Sequence, residues 1–199
     1  MPWNKSHKEK TRERILDAAA AAFRERGVNG ASLTDVMQQA DLTHGGFYAH
    51  FKSKDELIAA ALKSVNTIRL ARFKDAAVKS SHGSELAAAV DVYLSSRHRE
   101  HPESGCAIAT LGSELARERG SARHQMSDNV QAWLELFAQF APGSNARGKM
   151  RQATGTFAAM IGGIILARAV EDPHEADRIL ADVRAFLHER TGNMDGADS

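Results

Sequence analysis

The chain has 199 residues, of which 43% are hydrophobic, 26% charged and 6% aromatic. That length suits one large domain or a small domain joined to a medium one, and the apolar fraction excludes a disordered chain. Lys and Arg number 26 against 25 Asp and Glu, a formal charge of +1, which argues against bulk attraction to nucleic acid but says nothing of how the charges are distributed.

No segment alternates β-branched and polar residues, and Pro2, Pro102, Pro142 and Pro173 all fall where helices would begin or end. The expectation is an all-α chain of about nine helices. The first runs from about Lys10 to Arg26, with Ile15, Ala19, Ala22 and Phe23 on one face and Gly27 as its stop. A short second helix opens at the Ser32–Asp35 capping pattern and buries Leu33, Val36, Met37 and Ala40. After Asp41 and Leu42, a third short helix spans Thr43 to about Phe51, with Leu42 and Phe47 spaced as a hydrophobic staple. Ser53 and Glu56 form a capping box for a fourth helix reaching about Phe73. Further helices are expected at Ser84–His98, Glu103–Arg117, Ser121–Phe140, Lys149–Val170 and Pro173–Arg190. The last combines Asp172 as cap, Pro173 at the first helical position and Glu175 in the first turn. Residues 141–148 read as a Gly/Pro/Ser/Asn loop and 191–199 as a frayed polar tail.

No apolar run follows the charged N-terminus as in a secretory signal, and the longest uncharged apolar stretch, roughly Gln152 to Ala167, is shorter than the ~20 residues that span a bilayer. The single cysteine, Cys106, excludes an intramolecular disulfide and a Cys-rich zinc module. A cytoplasmic protein is expected.

The pair of short helices over residues 32–51 suggests a helix-turn-helix. Its second helix begins Thr43-His44-Gly45-Gly46, and each glycine costs about 1 kcal/mol there relative to alanine. Two glycines in one exposed turn suit a partner that approaches the backbone closely, and the major groove of DNA is such a partner. Thr34, Thr43, Tyr48, His50, Lys52 and Lys54 offer donors for phosphate oxygens, and His44 has the reach for a base edge. Lys5, Lys8, Lys10, Arg12 and Arg14 form a basic leader suited to a phosphate backbone or a minor groove. The alternative is structural: Tyr48 packs in a three-helix core and the lysines form a solvated face.

These residues resemble the DNA-binding domain of TetR-type transcriptional regulators. The likeness runs from Thr11-Arg12-Glu13-Arg14-Ile15-Leu16-Asp17-Ala18-Ala19 through Phe23, Gly27, Ser32-Leu33-Thr34-Asp35-Val36 and Ala40. Its most specific block is Gly45-Gly46-Phe47-Tyr48-Ala49-His50-Phe51, followed by Lys52-Ser53-Lys54-Asp55-Glu56-Leu57. The resemblance implies a helix-turn-helix domain over residues 8–68 and a ligand-binding and dimerisation bundle over 69–190, joined by the fourth helix. It implies a homodimer on a palindromic operator, released by a small molecule in the bundle: a repressor, with an activator as the variant. It assigns DNA contacts to Ser32, Thr34, Thr43, His44, Gly45, Gly46, Tyr48, His50 and Lys54. Relatives often carry Lys or Thr in place of His44 or Gly46, so the operator sequence does not transfer.

The stretch from Thr154 to Ala167 is apolar nearly all round, with small residues at 155, 158, 159, 162 and 163. With Ile179, Leu180, Val183, Phe186 and Leu187 it is expected to build a dimer face; an ordinary monomer core is the alternative. An effector pocket would draw on Phe73, Tyr93, Cys106, Leu111, Met126, Trp133, Phe137, Phe157 and Met160, with Ile108 and Val130 beside them and Glu114, His98 and His124 as polar anchors. Residues 104–116 are similar to a TetR subgroup that includes electrophile- and oxidant-sensing repressors, in which a cysteine at the place of Cys106 is the sensor. A small buried hydrophobe is the other reading of Cys106. No nucleophile elbow, phosphate-cradling glycine loop or metal-spaced histidine pair is present, so no enzyme, metal or cofactor is expected.

Overall fold

The computed structural model describes residues 5–79, 85–141 and 144–192. Among them lie nine α-helices, two 3-10 helices and no strand. The α-helices are α1 (Lys5–Gly30), α2 (Leu33–Gln39), α3 (Lys54–Lys79), α4 (Glu85–Tyr93), α5 (Ser96–Glu100), α6 (Ala107–Leu115), α7 (Ser121–Phe140), α8 (Ala146–Ala169) and α9 (Pro173–Gly192). The 3-10 helices are His44–Ala49 and Pro102–Ser104.

Most expected elements are found, and the departures have local causes. α1 starts at Lys5 rather than about Lys10, so the basic leader is part of the helix. Lys, Glu and Arg are good helix formers, and no Gly or Pro interrupts residues 5–26. At Gly27 the backbone leaves the helix (φ 78, ψ 164), a conformation open essentially to glycine alone. The third helix is 3-10 rather than α, over the segment that carries Gly45 and Gly46. The element expected at Ser84–His98 divides into α4 and α5, because the Ser95 side chain accepts from the His98 N–H and starts a new turn. Before α6, Pro102 opens a separate 3-10 turn, and Cys106 becomes the N-cap. Of the expected tail, Thr191 and Gly192 extend α9 and residues 193–199 lie outside the described ones, as do Pro142 and Gly143 of the expected loop.

The chain divides into two compact units, residues 1–68 with 102–129, and residues 69–101 with 130–199. In the first, α1, α2, the 3-10 helix and the start of α3 close around Ile15, Phe23, Met37, Phe47, Phe51 and Leu57. Residues 102–129, expected in the bundle, join this unit because Leu111, Leu115, Ala122 and Met126 complete the same core. In the second unit α8 packs on α9, α4 on α9 and α5 on α8. Gly163 lies at the α8 contact, where a Cβ would stand 3.0 Å from Leu94 and 3.3 Å from Val183.

Candidate functional site

Both predicted capping pairs engage, Ser32 with Asp35 as a full reciprocal box and Ser53 with Glu56 through the cap side chain and the N–H of the residue before it. Ser32 Oγ accepts from the Asp35 N–H at 3.1 Å, and Asp35 accepts from the Ser32 N–H at 3.2 Å. Ser53 Oγ accepts from the Glu56 N–H, and Glu56 accepts from the Lys52 N–H at 2.8 Å. These pairs fix both flanks of residues 40–51. Between them Asp41 takes a positive φ of 52°, which a short polar side chain tolerates. Arg14 donates to the Ala40 carbonyl and to Asp41 Oδ2, so this leader cation holds the turn.

The 3-10 helix is anchored from one side only. Phe47 and Phe51 are buried and stack with ring centroids 5.9 Å apart. Thr43, its N-cap, makes no side-chain capping bond. Thr43, His44, Gly45 and Tyr48 all face solvent, as does Thr34 on α2. Tyr48 is 67% exposed, so it is not part of the three-helix core. A Cβ at Gly45 would meet nothing within 4 Å, and one at Gly46 only Met37 at ordinary contact distance. The fold therefore imposes no steric need for either glycine. The space over this turn is open, which is the arrangement a recognition segment requires.

Cations border the turn. The Arg12 guanidinium lies 4.3 Å from the centroid of Phe51, and the Lys54 ammonium 5.9 Å from that of Phe23. His50 is half-buried, and its Nδ1 is buried without a hydrogen-bond partner. Burial first, then the charges of Lys8 and Arg12, push its pKa below the usual histidine value. The imidazole is thus neutral at pH 7, in a positive environment that an anion would relieve.

The residues expected to line a pocket separate into two places. Phe73, Tyr93, Trp133, Phe137, Phe157 and Met160 are all buried in the second unit. Phe73 meets Trp133 edge-on at 5.1 Å, and Trp133 stacks on Phe157 at 5.7 Å. Phe137 lies 5.1 Å from Phe157 and 5.3 Å from Phe73, and Tyr93 reaches Phe157 at 6.2 Å. Leu111 and Met126 belong instead to the core of the first unit, with Ile108 packed against it. Cys106, also in the first unit, is 2% exposed at the N-cap of α6. Val130 is half-buried.

The three suggested polar anchors have structural partners. Glu114 accepts from the N–H groups of Val28 and Asn29. His124 Nδ1 lies 2.8 Å from the Gly120 carbonyl. His98 is buried against Tyr93, with its Nδ1 2.7 Å from the Tyr93 carbonyl. Sequence reading missed the roles of Asp55 and Arg14, which are ordinary exposed residues by pattern and become partners only through contacts distant in sequence. Among the described residues no cluster of His, Cys, Asp or Glu is arranged to hold a metal ion, and no helix is long and apolar enough to cross a membrane.

Comparison with known proteins agrees with this architecture. Residues 15–61 match the model for bacterial regulatory proteins of the tetR family, and residues 84–183 the model for the tetracyclin repressor-like C-terminal domain. The transcriptional regulator SrpR of Pseudomonas putida is 26% identical over 164 residues, covering 79% of this chain and 74% of the relative. The regulator TtgR, also of Pseudomonas putida, is 40% identical over 62 residues, a match that spans 31% of this chain and only 30% of that relative. The structure of a TetR transcriptional regulator from Chloroflexus aurantiacus superposes with a TM-score of 0.75 at 25% identity, over 92% of this chain and 97% of that one. The reduced form of E. coli NemR gives 0.74 at 20% identity, over 90% and 96%. An exposed glycine turn on a helix-turn-helix, followed by a helical bundle and matched by family models over both parts, has one reading: the chain belongs to the TetR family of transcriptional regulators.

Proposed function

We propose that this regulator is a cytoplasmic repressor that binds a palindromic operator as a homodimer and is released by a small molecule held in its C-terminal bundle. The observation that carries the DNA contact is the turn Thr43–Gly46, whose Thr43, His44 and Gly45 face solvent and whose Gly45 has open space at Cβ. Thr43, His44, Gly45 and Gly46 face the bases in this reading. Tyr48, His50 and Lys54 face phosphates, with Ser32 and Thr34 beside them at the start of α2. The Lys8 and Arg12 charges beside His50 supply the electrostatic part.

Dimerisation is assigned to α8 and α9. Ile165, Leu166 and Phe186 are 47%, 57% and 48% exposed, and Gly155 and Gly162 have open space where a Cβ would stand. Large apolar side chains beside open glycines suit close packing of a second copy. The effector is assigned to the aromatic core of Phe73, Tyr93, Trp133, Phe137, Phe157 and Met160, whose surface is almost wholly apolar and favours an apolar or aromatic ligand. Leu111, Met126 and Cys106 lie in the first unit, and direct ligand contact is not assigned to them.

The thiol-sensing alternative rests on Cys106, which is the N-cap of α6. At 2% exposure the sulfur requires local opening before an electrophile can reach it.

The test is a mobility shift with the DNA upstream of the protein's own gene, titrated with salt. A saturable shift that weakens as salt rises supports the reading. No shift at low salt refutes it. Electrophile-triggered release that disappears in Cys106→Ser would favour the thiol alternative, and an equal response of wild type and variant would exclude it.

A further inference from the structure

Two carboxylates tie the reader to the corner between α6 and α7 in a reciprocal way. On one side α1 is broken at Gly27, which has a positive φ of 78°. That turn presents the next two backbone N–H groups together, and Glu114 of α6 accepts both: Val28 N–H at Oε2 and Asn29 N–H at Oε1, each at 2.9 Å. On the other side the corner passes through Gly120, also at positive φ (105°). The next two N–H groups are those of Ser121 and Ala122, and Asp55 of α3 accepts both, at 2.8 and 3.0 Å. Each contact therefore has the same parts: a left-handed glycine, two convergent N–H donors and a carboxylate from a helix far away in sequence. The carboxylates run in opposite directions, Glu114 from the corner to the reader and Asp55 from the reader to the corner.

The packing is close at both. A Cβ on Gly27 would stand 2.9 Å from Glu114 Oε2, and one on Gly120 2.9 Å from Asp55 Oδ2. Burial works against the Asp55 charge, but the Ala122 and Ser121 donors outweigh it and hold its pKa below the usual carboxylate value. Between the two contacts lies a cleft of about 200 Å³ lined by Val28, Asn29, Asp55, Leu115 and Ala122, among others. The two carboxylates thus flank an open cleft at the edge of the core that Leu111, Leu115, Ala122 and Met126 complete. A third bond lies further along the same helices, where the buried Asn129 of α7 donates to the Leu62 carbonyl of α3 at 3.3 Å.

We infer that Glu114 and Asp55 are positioning residues for DNA recognition: a reciprocal latch that fixes the helix-turn-helix on the α6–α7 corner and so sets the orientation in which Thr43–Gly46 is presented. Asp55 opens α3 directly after the recognition segment, and Glu114 grips the chain just before α2. The latch thus holds the helix-turn-helix from both ends. α3 and α7 each continue from it to residues of the aromatic core, Phe73 on α3 and Trp133 and Phe137 on α7. The inference rests on the reading of the chain as a DNA-binding regulator.

The test compares Glu114→Gln and Asp55→Asn with Asp128→Asn, a change at an exposed α7 residue outside the cleft that removes the same charge. Loss of a negative charge by itself strengthens DNA binding, so the control should bind as tightly as wild type or tighter. Each latch variant should bind the upstream DNA about tenfold more weakly, within the ~5–150-fold range of coupling between sites, while low-salt binding to unrelated DNA stays at the level of the control. Latch variants within twofold of the control on upstream DNA would overturn the inference, as would equal loss on both DNAs. Amide hydrogen exchange on the wild type serves where a variant does not fold. Upstream DNA should increase protection at Val28, Asn29, Ser121 and Ala122, none of which is an assigned DNA contact. Unchanged protection there would also overturn the inference. If wild type fails to shift the upstream DNA, the fault lies with the DNA-binding reading instead.

Discussion

His98 makes stability depend on pH in a way that can be worked out from its surroundings. It sits on α5, 9% exposed, with its ring edge-on to Tyr93 at 4.5 Å. The Tyr93 carbonyl can only accept, so Nδ1 carries the proton and donates across 2.7 Å. Charging the ring requires a second proton, and three features oppose it. Burial is the largest, followed by the cations of Arg69 and Arg168; together they outweigh the bond to Tyr93 and lower the pKa from 6.5 to about 4. Arg168 is held close because it donates to the His98 and Arg99 carbonyls at 2.6 and 3.1 Å. In the unfolded chain the same histidine titrates near 6.5. Between these two values the unfolded state binds more protons, so stability falls as the solution is acidified. The contribution is fully present above the unfolded pKa and is lost progressively as pH falls towards the folded one. At about pH 5 the loss is about 2 kcal/mol relative to pH 7.5, from roughly 1.4 kcal/mol per pH unit over 1.5 units. His98→Asn keeps a donor near the Nδ1 position and removes the titration. Urea unfolding at fixed protein concentration should give a wild-type stability that drops more steeply from pH 7 to 5 than that of the variant. Parallel curves, differing only by a constant offset, would refute the reasoning.

Three further outcomes follow from other parts of the structure. Gly27→Ala should lower stability by ~1–3 kcal/mol in urea unfolding, because φ 78 with ψ 164 is closed to other residues and the new Cβ meets Glu114; an unchanged midpoint would contradict that geometry. Leu166→Glu should move the light-scattering mass towards the monomer, by ~2 kcal/mol or about 30-fold in dissociation constant if this side chain is central to the dimer face. Because burial, Lys8 and Arg12 keep His50 neutral in the unbound protein, a DNA phosphate against it should raise its pKa and draw in a proton. Affinity should then fall as pH rises through the histidine range, and His50→Gln should flatten that slope relative to wild type in a fluorescence-anisotropy titration.

The net charge illustrates what a sum conceals. Residues 1–54 carry nine Lys and Arg against six Asp and Glu, and residues 55–199 carry 17 against 19. A modestly basic reader on a slightly acidic remainder gives the small total, and it is compatible with DNA binding through specific register. Even within the reader the cations differ in use. Arg14 is committed to the turn at Ala40 and Asp41, while Arg12 lies over Phe51 near His50. Their spacing in the sequence does not distinguish them, because which carbonyl or ring a long side chain reaches is decided by the helix packed opposite.

Local rules were enough to read the caps, the helix order and the glycine turn from the chain. Ser32 with Asp35, Ser53 with Glu56 and Pro173 with Asp172 act within a few residues, so their geometry is written in their spacing. The helix-turn-helix and its family likeness were legible for the same reason. The grouping of the helices was not. An apolar stripe says that a face is buried but not against what, and so Leu111 and Met126 looked like pocket residues beside Trp133 and Phe157. The tertiary structure assigns the first two to the reader's core and the last two to a separate aromatic cluster. Glu114 and Asp55 show the same limit in polar form. A carboxylate on a helix surface has no preferred partner in its own sequence, and only the fold brings it to a pair of N–H groups 66 or more residues away. The sequence by itself determined which segments are helical and where the glycine turn lies. The tertiary structure alone decided which helices hold that turn in place.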